Sequence, residues 1–259
     1  MRSLDVRVVC FAACLALAGC GGDEGEANVG SSSLCIFGGT RSSEYLHLSE
    51  LEENAIAWLG VEDPDLDDLG TCSGTLISPR WALTAAHCRV SERTRISAGF
   101  GAEPCPSVER DGGRRASAVR FVPHATLDVL LFELDAEVPD GIAVPLPLDR
   151  ESSLREGQTV EIAGAGLNEA GAVGPVSFAM EELVAVRSET ADVTGRGLSG
   201  ACAGDSGGPL LVRDQRDAVV VAGVLSRGDA SCTGIDRYVR TSVLVEWVDS
   251  VIEERPDAH

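Results

Sequence analysis

One short stretch restricts this chain more than any other feature. Residues 204–209 have the sequence Gly-Asp-Ser-Gly-Gly-Pro, which places a serine between glycines and directly after an acid. Glycine lacks a Cβ, so the backbone here can turn sharply and lie against another molecule. The backbone N–H groups of Gly204 and Ser206 can then point at one spot beside the hydroxyl, as in an oxyanion hole. The alternative is a Gly-rich surface turn closed by proline, which explains one Gly-Gly-Pro more easily than this whole order.

A serine hydroxyl is a weak nucleophile without a neighbouring base, so the histidines come next. His87 lies in Leu-Thr-Ala-Ala-His-Cys at residues 83–88, which follows Ile-Ser-Pro-Arg-Trp at residues 77–81. Between the histidine and serine motifs, Asp128 opens an apolar run that ends at Leu134. A core histidine and a strand-end cap are the structural alternatives for His87 and Asp128. His124 lies close to Asp128 in sequence but lacks the surrounding motif, and we interpret it as a surface residue.

In the order His, Asp, Ser, these motifs resemble those of the trypsin-like (chymotrypsin-fold) serine proteases. The resemblance covers roughly residues 36–254 and implies a serine endopeptidase that works through an acyl-enzyme on proteins or peptides. It implies that Ser206 is the nucleophile, that His87 is the general base and that Asp128 orients the imidazole, with Gly204 and Ser206 forming the oxyanion hole. It implies no cofactor and no metal. One alternative is a catalytically inactive homologue that serves as a binding module of the cell envelope. Another is a lipid-anchored structural protein of the envelope whose match to this fold is incidental.

The resemblance also assigns a primary specificity pocket. It gives substrate binding to four residues: Gly200, Ser226, Gly228 and Asp236. Gly200 is expected at the base of the pocket and Asp236 on its wall, where a carboxylate in partly dry surroundings favours a cationic side chain. We therefore expect cleavage after Arg or Lys. The alternative is that Asp236 faces solvent or pairs with Arg237 or Arg240, which leaves an apolar pocket.

Activation is implied by the resemblance as well. In the family, the acid before the serine pairs with a new α-ammonium that activation cleavage creates, and this orders the oxyanion hole. The matching residues are Asp205 and Ile36. The residue before the new terminus is Arg or Lys in the family, whereas this chain has Cys35 there.

The nine cysteines fall into two groups. Cys10, Cys14 and Cys20 belong to the start of the chain, and an even set follows: Cys35, Cys72, Cys88, Cys105, Cys202 and Cys232. An even set in an exported chain is typical of disulfides, and the zinc alternative lacks a Cys-x-x-Cys or paired-His spacing. The resemblance implies the pairs Cys72–Cys88 and Cys202–Cys232. It offers no match for Cys35 and Cys105, which we predict to be bonded to each other.

The first 35 residues predict export. Arg2 and Arg7 precede an apolar run, residues 8–18, that is too short to span a bilayer. Residues 17–20, Leu-Ala-Gly-Cys, match the bacterial lipobox, which implies a leader over residues 1–19 and a lipid on Cys20. An ordinary secretory leader is the alternative. Residues 20–35 are rich in Gly, Ser and acids, as in a flexible tether or propeptide, so we expect a cell-envelope lipoprotein or a secreted protein.

From Ile36 onward the pattern is that of an all-β protein. Two sets of short β-leaning runs, separated by turn residues, predict two barrels or sandwiches. The resemblance implies two Greek-key β-barrels, residues 36–145 and 146–259, with the active site in the cleft between them. A helix is predicted over residues 243–254, where Trp247, Val248 and Val251 share one face. The predicted strands are residues 55–61, 72–78, 95–98, 118–122, 128–134, 159–165, 176–186, 209–212, 218–226 and 238–239.

Charge excludes one class of partner. The net charge is −20, from 41 acids and 21 bases, and such a chain repels nucleic acids and anionic membranes. We therefore expect no nucleic-acid partner, membrane contact only through Cys20, and a monomer. Acids alternate in residues 62–68, but Asp68 and Gly74 stand where a calcium loop needs glycine and glutamate. We interpret this stretch as a solvated loop, with calcium binding as the alternative.

Overall fold

The computed structural model describes residues 36–64, 68–101, 114–166 and 174–254, without the side chains of residues 68 and 69. The predicted leader and tether lie outside the described residues, and so do Cys20, Cys35 and Cys105. The lipid anchor and the Cys35–Cys105 bridge therefore stay predictions.

Six strands close into a first antiparallel barrel, in the order β1-β2-β3-β6-β5-β4. Apolar residues from these strands fill its interior, and Leu59, Leu83 and Phe132 have no exposed surface. Burying a side chain of this size stabilises the fold by about 1.5–3 kcal/mol. The strands are β1 (Ile56–Asp63), β2 (Asp68–Ser78), β3 (Trp81–Thr84), β4 (Arg95–Phe100), β5 (Arg114–Pro123) and β6 (Leu130–Leu134).

Six further strands close into a second antiparallel barrel, in the order β10-β11-β12-β9-β8-β7. Its interior includes Ile162, Leu183 and Leu210, all fully buried. The expected fold class, two β-barrels with few helices, is confirmed. The strands are β7 (Thr159–Gly164), β8 (Ser177–Val186), β9 (Thr190–Thr194), β10 (Pro209–Arg213), β11 (Val219–Arg227) and β12 (Ile235–Arg240).

Two α-helices are short. Helix α1 (Glu50–Glu53) begins at a capping box in which Glu52 accepts from the backbone N–H of Ser49 at 2.8 Å. Helix α2 (Val245–Glu253) confirms the predicted helix, although a 3₁₀ turn over Thr241–Val243 delays its start. Among the described residues, no helix has the length and apolar character needed to cross a membrane.

Ser73 of β2 joins the two barrels. Its backbone N–H donates to the carbonyl oxygen of Ser206 at 2.8 Å. Its hydroxyl donates to the carbonyl oxygen of Gly204 at 3.0 Å and accepts from the N–H of Ala165 at 2.8 Å. The serine loop of the second barrel therefore lies against the wall of the first barrel, beside the end of β3.

Candidate active site

The pairing of β3 with β6 brings the histidine and aspartate motifs together. Thr84, the last residue of β3, lies opposite Leu130, the first residue of β6. His87 follows on a 3₁₀ turn and Asp128 just precedes β6. Nδ1 of His87 lies 2.8 Å from Oδ2 of Asp128, and the backbone N–H of His87 donates to Oδ1 at 3.0 Å. Two contacts therefore fix the imidazole relative to the carboxylate.

Ser226 adds a contact to this pair. Its hydroxyl, at the end of β11, donates to Oδ2 of Asp128 at 2.7 Å. Partial burial by itself would raise the pKa of Asp128, but hydrogen bonds from His87 and Ser226 outweigh it and lower the pKa to about 2. Asp128 is therefore ionised at neutral pH. The sequence analysis assigned Ser226 to substrate binding and missed this contact.

Ser206 lies in a sharp turn held by glycines. Gly204 and Gly207 have φ angles of 93° and 84°, in the left-handed region that favours glycine. A Cβ on Gly207 would lie only 2.1 Å from the hydroxyl oxygen of Thr84 and 2.4 Å from the carbonyl oxygen of Ser73. The turn can therefore approach the end of β3, three residues before His87, only because position 207 is glycine.

Two disulfides brace the walls of the site. Cys72–Cys88 joins β2 to the histidine turn, and Cys202–Cys232 joins the serine loop to the segment before β12. These are the two pairs that the resemblance implies. Closing a loop such as the first, with a sequence separation of 16, stabilises a fold by about 3 kcal/mol. Disulfides persist in oxidising compartments, which indicates an exported protein.

Two of the predicted pocket residues, Gly200 and Gly228, lie beside the buried carboxylate of a third, Asp236. Asp236 has no exposed surface, and its Oδ2 accepts from the N–H of Ala201 at 2.7 Å while Oδ1 accepts from that of Asp229 at 3.1 Å. A Cβ on Gly200 would lie 3.2 Å from Oδ2, and one on Gly228 would lie 3.3 Å from Oδ1. Burial raises the pKa of Asp236. The carboxylate thus lies between the two glycines.

The neighbouring arginines have other partners. Arg237 binds Asp192, with Nε 2.7 Å from Oδ1, and Arg240 donates to the carbonyl oxygens of Arg187 and Ser188 at 2.6 and 3.1 Å. The apolar-pocket alternative required Asp236 either to face solvent or to pair with one of these arginines. Asp236 is buried and forms a bond with neither arginine, so the geometry disagrees with both forms of that alternative.

Asp205 and Ile36 are both buried, with no exposed surface. Asp205 accepts hydrogen bonds from the N–H groups of Gly166 at 2.9 Å and Cys202 at 2.8 Å. Burial raises its pKa to about 8, and the charge of Asp236 adds to the shift. Within the described ranges, no arginine or histidine forms an ion pair with Asp205. Among the residues that the structure describes, this buried carboxyl group therefore has no cationic partner.

Glu181 is a buried acid that the sequence analysis missed. It is 3% exposed, and its Oε1 accepts from the hydroxyl of Ser199 at 2.7 Å. Its Oε2 has no hydrogen-bond partner among the described residues. Burial raises the pKa of Glu181 to about 7. Strand alternation was the available signal, because position 181 shares its face with the buried Leu183.

The acidic stretch over residues 62–68 is described only in part, since residues 65–67 lie outside the described residues. Asp63 is 3% exposed, and its Oδ2 accepts from the hydroxyls of Ser91 and Thr94 at 2.5 and 2.8 Å. In the described part of the chain, no three His, Cys, Asp or Glu side chains are grouped to hold a metal ion. The solvated-loop interpretation is therefore wrong for Asp63, a buried residue at the end of β1, and it stays a prediction for residues 65–67.

Comparisons with known proteins point to one family. The family model described as Trypsin matches residues 65–248. Serine protease SP24D of Anopheles gambiae is 32% identical over 201 residues, which are 70% of this chain and 72% of that protein. Transmembrane protease serine 11E of Mus musculus is 30% identical over 263 aligned residues, which cover 89% of this chain and 57% of that protein. The chain thus spans little more than half of that longer relative.

The match to the family model covers well over half of the chain, and the mosquito protease is matched along most of its length. On these grounds the chain belongs to the trypsin-like serine proteases, and it is a serine endopeptidase, a hydrolase whose substrates are proteins or peptides.

Proposed function

We propose that this endopeptidase works through His87, Asp128 and Ser206. The Oγ of Ser206 attacks the scissile carbonyl carbon while Nε2 of His87 accepts the hydroxyl proton. His87 then donates that proton to the departing amine, and water hydrolyses the acyl-enzyme with the same histidine as base. The oxyanion accepts hydrogen bonds from the N–H groups of Gly204 and Ser206.

The observation that carries this proposal is the 2.8 Å contact between Nδ1 of His87 and Oδ2 of Asp128. Because the pKa of Asp128 is lowered to about 2, the carboxylate is ionised at neutral pH and holds the proton on Nδ1. Nε2 is then the unprotonated nitrogen, ready to accept a proton from a hydroxyl. With the proton on Nε2 instead, His87 could not accept the proton of Ser206.

The test is labelling of the mature protein with a fluorophosphonate, which reacts with activated serines. We expect one labelled peptide, containing Ser206, and no label in Ser206→Ala. Ser250→Ala is the matched control, since Ser250 lies on α2 and its hydroxyl donates to the carbonyl oxygen of Trp247 within that helix. An unlabelled wild-type protein that also fails to cleave casein would instead favour the inactive binding module.

For specificity, we propose that the pocket accepts Arg or Lys before the scissile bond. The support is the buried carboxylate of Asp236 between Gly200 and Gly228, with no arginine or histidine paired to it in the described ranges. A substrate guanidinium or ammonium would supply the missing positive charge. Burial makes an unpaired carboxylate costly, so pairing with the substrate is favourable.

For activation, we propose cleavage between Cys35 and Ile36. Asp205 and Ile36 are fully buried, and burial raises the pKa of Asp205 to about 8. A new α-ammonium on Ile36 would neutralise this carboxyl group and order the serine loop. The test is sequencing of the N-terminus of the active enzyme. A chain that is fully active with residues 35 and 36 still joined would contradict the proposal.

For attachment, we propose a bacterial lipoprotein whose leader ends at residue 19 and whose tether, residues 20–35, precedes the barrels at 36–145 and 146–259. A Cys35–Cys105 bridge would keep the cut tether attached to a monomeric enzyme. Labelled palmitate should enter the wild type but not Cys20→Ser. Reductant should release the mature enzyme from washed membranes, and release without reductant would contradict the bridge.

A further inference from the structure

Arg227 lies next in sequence to residues of the proposed active site. It is the last residue of β11 and lies between Ser226, which donates to Asp128 at 2.7 Å, and Gly228, which borders Asp236. Residue 227 therefore lies in sequence between a residue that contacts the His–Asp pair and a residue that borders the pocket carboxylate. Its side chain is exposed.

The guanidinium of Arg227 forms no hydrogen bond or ion pair with the described residues. The adjacent strand, β12, places Arg237 and not an acid opposite Arg227. The nearby carboxylate of Asp229 accepts from the N–H and hydroxyl of Ser231 at 2.9 and 2.5 Å.

The other arginines of the second barrel and its flanks are all bonded. Arg155 and Arg240 donate to backbone carbonyl oxygens. The remaining described arginines between residues 146 and 254 each pair with a carboxylate: Arg150, Arg187, Arg196, Arg213, Arg216 and Arg237. An exposed arginine with no partner among the described residues of a chain whose net charge is −20 is suited to bind a carboxylate from outside the chain.

The direction of the substrate follows from the proton transfer. The departing amine must lie near His87, since His87 protonates it, so the carboxyl-terminal side of the substrate leaves past the first barrel. The residue before the scissile bond fills the pocket beside Asp236. The amino-terminal side of the substrate then runs along the end of β11, past Arg227.

We propose that Arg227 selects substrates with an Asp or Glu within three residues on the amino-terminal side of the pocket residue. This inference rests on the proposed function and extends it. The preferred sequence would place an acid a short distance before a base, so that Arg227 and Asp236 each meet a substrate group of opposite charge. Exposed charge pairs are screened by salt, so the preference should weaken at 1 M salt.

The experiment uses three fluorogenic peptides that end in Arg and carry Asp, Gln or Lys two or three residues earlier. The readout is the ratio of kcat/KM for the acidic peptide to that for the neutral peptide, measured within each protein at low salt. We expect a ratio of about two to five in the wild type, the range of an exposed ion pair. The ratio should approach one in Arg227→Gln, and Arg227→Glu should favour the Lys-containing peptide.

Arg216→Gln is the matched control. It removes the same charge from the turn before β11, so that the nine residues of that strand separate it from Arg227 at the other end. Its ratio should equal that of the wild type. A wild-type ratio of one, with active enzyme, or an unchanged ratio in Arg227→Gln overturns this inference alone. Failure to cleave any peptide or to bind fluorophosphonate overturns the proposed function and this inference together.

Discussion

Ser226 and His87 contact the same oxygen atom of Asp128: the serine hydroxyl lies 2.7 Å from Oδ2 and the histidine Nδ1 lies 2.8 Å from it. His87 and Asp128 belong to loops of the first barrel, whereas Ser226 is the next-to-last residue of β11 in the second barrel. The orientation of the carboxylate therefore depends on how the two barrels dock, and not on the first barrel alone.

Removing this contact should weaken catalysis without abolishing it. In Ser226→Ala the carboxylate loses one hydrogen bond, so the pKa of Asp128 should rise from about 2, and kcat should fall by about tenfold. The checks are steady-state kinetics at neutral pH and a carbon-13 NMR titration of Asp128. Ser250→Ala should change neither quantity, and a wild-type kcat in Ser226→Ala would show that the contact has no catalytic role.

Ser206→Ala should abolish peptide hydrolysis while it leaves the fold intact. The change removes the proposed nucleophile and one oxygen atom of a partly exposed side chain, so it alters little packing. We expect kcat to fall by about a thousandfold or more. Circular dichroism and thermal unfolding should match the wild type. Turnover above a few per cent of wild type would reject Ser206 as the nucleophile.

Neutralising Asp236 should shift specificity away from basic residues. Asp236→Gly removes the charge, and Asp236→Asn removes it while keeping one oxygen to accept from a backbone N–H. A peptide-library profile should lose its preference for Arg and Lys in both variants. Asp217→Asn, a change at an exposed acid, should leave the profile unchanged. A wild-type profile dominated by Phe, Leu or Ala, and unchanged in Asp236→Gly, would reject the basic pocket.

The buried Asp205 should make the uncleaved chain less stable as the pH rises. In the folded chain its pKa is about 8, while an aspartate in an unfolded chain has a pKa near 3.9. Between these values the folded state keeps a proton that the unfolded state loses, so the free energy of unfolding falls as pH rises from about 4 to about 8.

Urea unfolding of the uncleaved Ser206→Ala protein at pH 5 and pH 8.5 measures this effect. Adding Asp205→Asn should reduce the pH dependence of the free energy of unfolding. Part of that dependence should remain, because the pKa values of Glu181 and Asp236 are also raised. Adding Asp214→Asn, at an acid in an exposed turn, serves as the control and should not reduce it. Equal pH dependence with and without Asp205→Asn would contradict the prediction.

Ten of the twelve strands in the described ranges could be predicted from β-leaning runs between turn residues, but β3 and β9 could not. β3 has only four residues, follows a Pro-Arg turn and leads directly into the histidine motif. β9 has the sequence Thr-Ala-Asp-Val-Thr, and its central acid is buried because Arg187 and Arg237 pair with it. A strand whose central acid is buried by ion pairs to arginines outside the strand has no signature in its own alternation pattern.

Some residues of the site could likewise be predicted from the sequence, and others could not. The serine and histidine motifs are continuous in sequence, so their residues could be named in advance. The contact between Ser226 and Asp128 joins positions 98 residues apart, and local sequence does not encode it. Likewise, Glu181 lies in a strand where its neighbour Glu182 is partly exposed, and only the fold decides which of the two acids faces the interior.

The hydrogen bonds that Ser73 makes between the barrels limit which proteins this enzyme can cut. Its hydrogen bonds to Ser206, Gly204 and Ala165 run from the first barrel to the second, so a hinge motion between the barrels would break all three at once. The enzyme then meets its substrate with a cleft of nearly fixed width. A folded substrate must therefore change its own conformation to fit the cleft. We expect cleavage to concentrate in substrate segments whose local unfolding free energy is low.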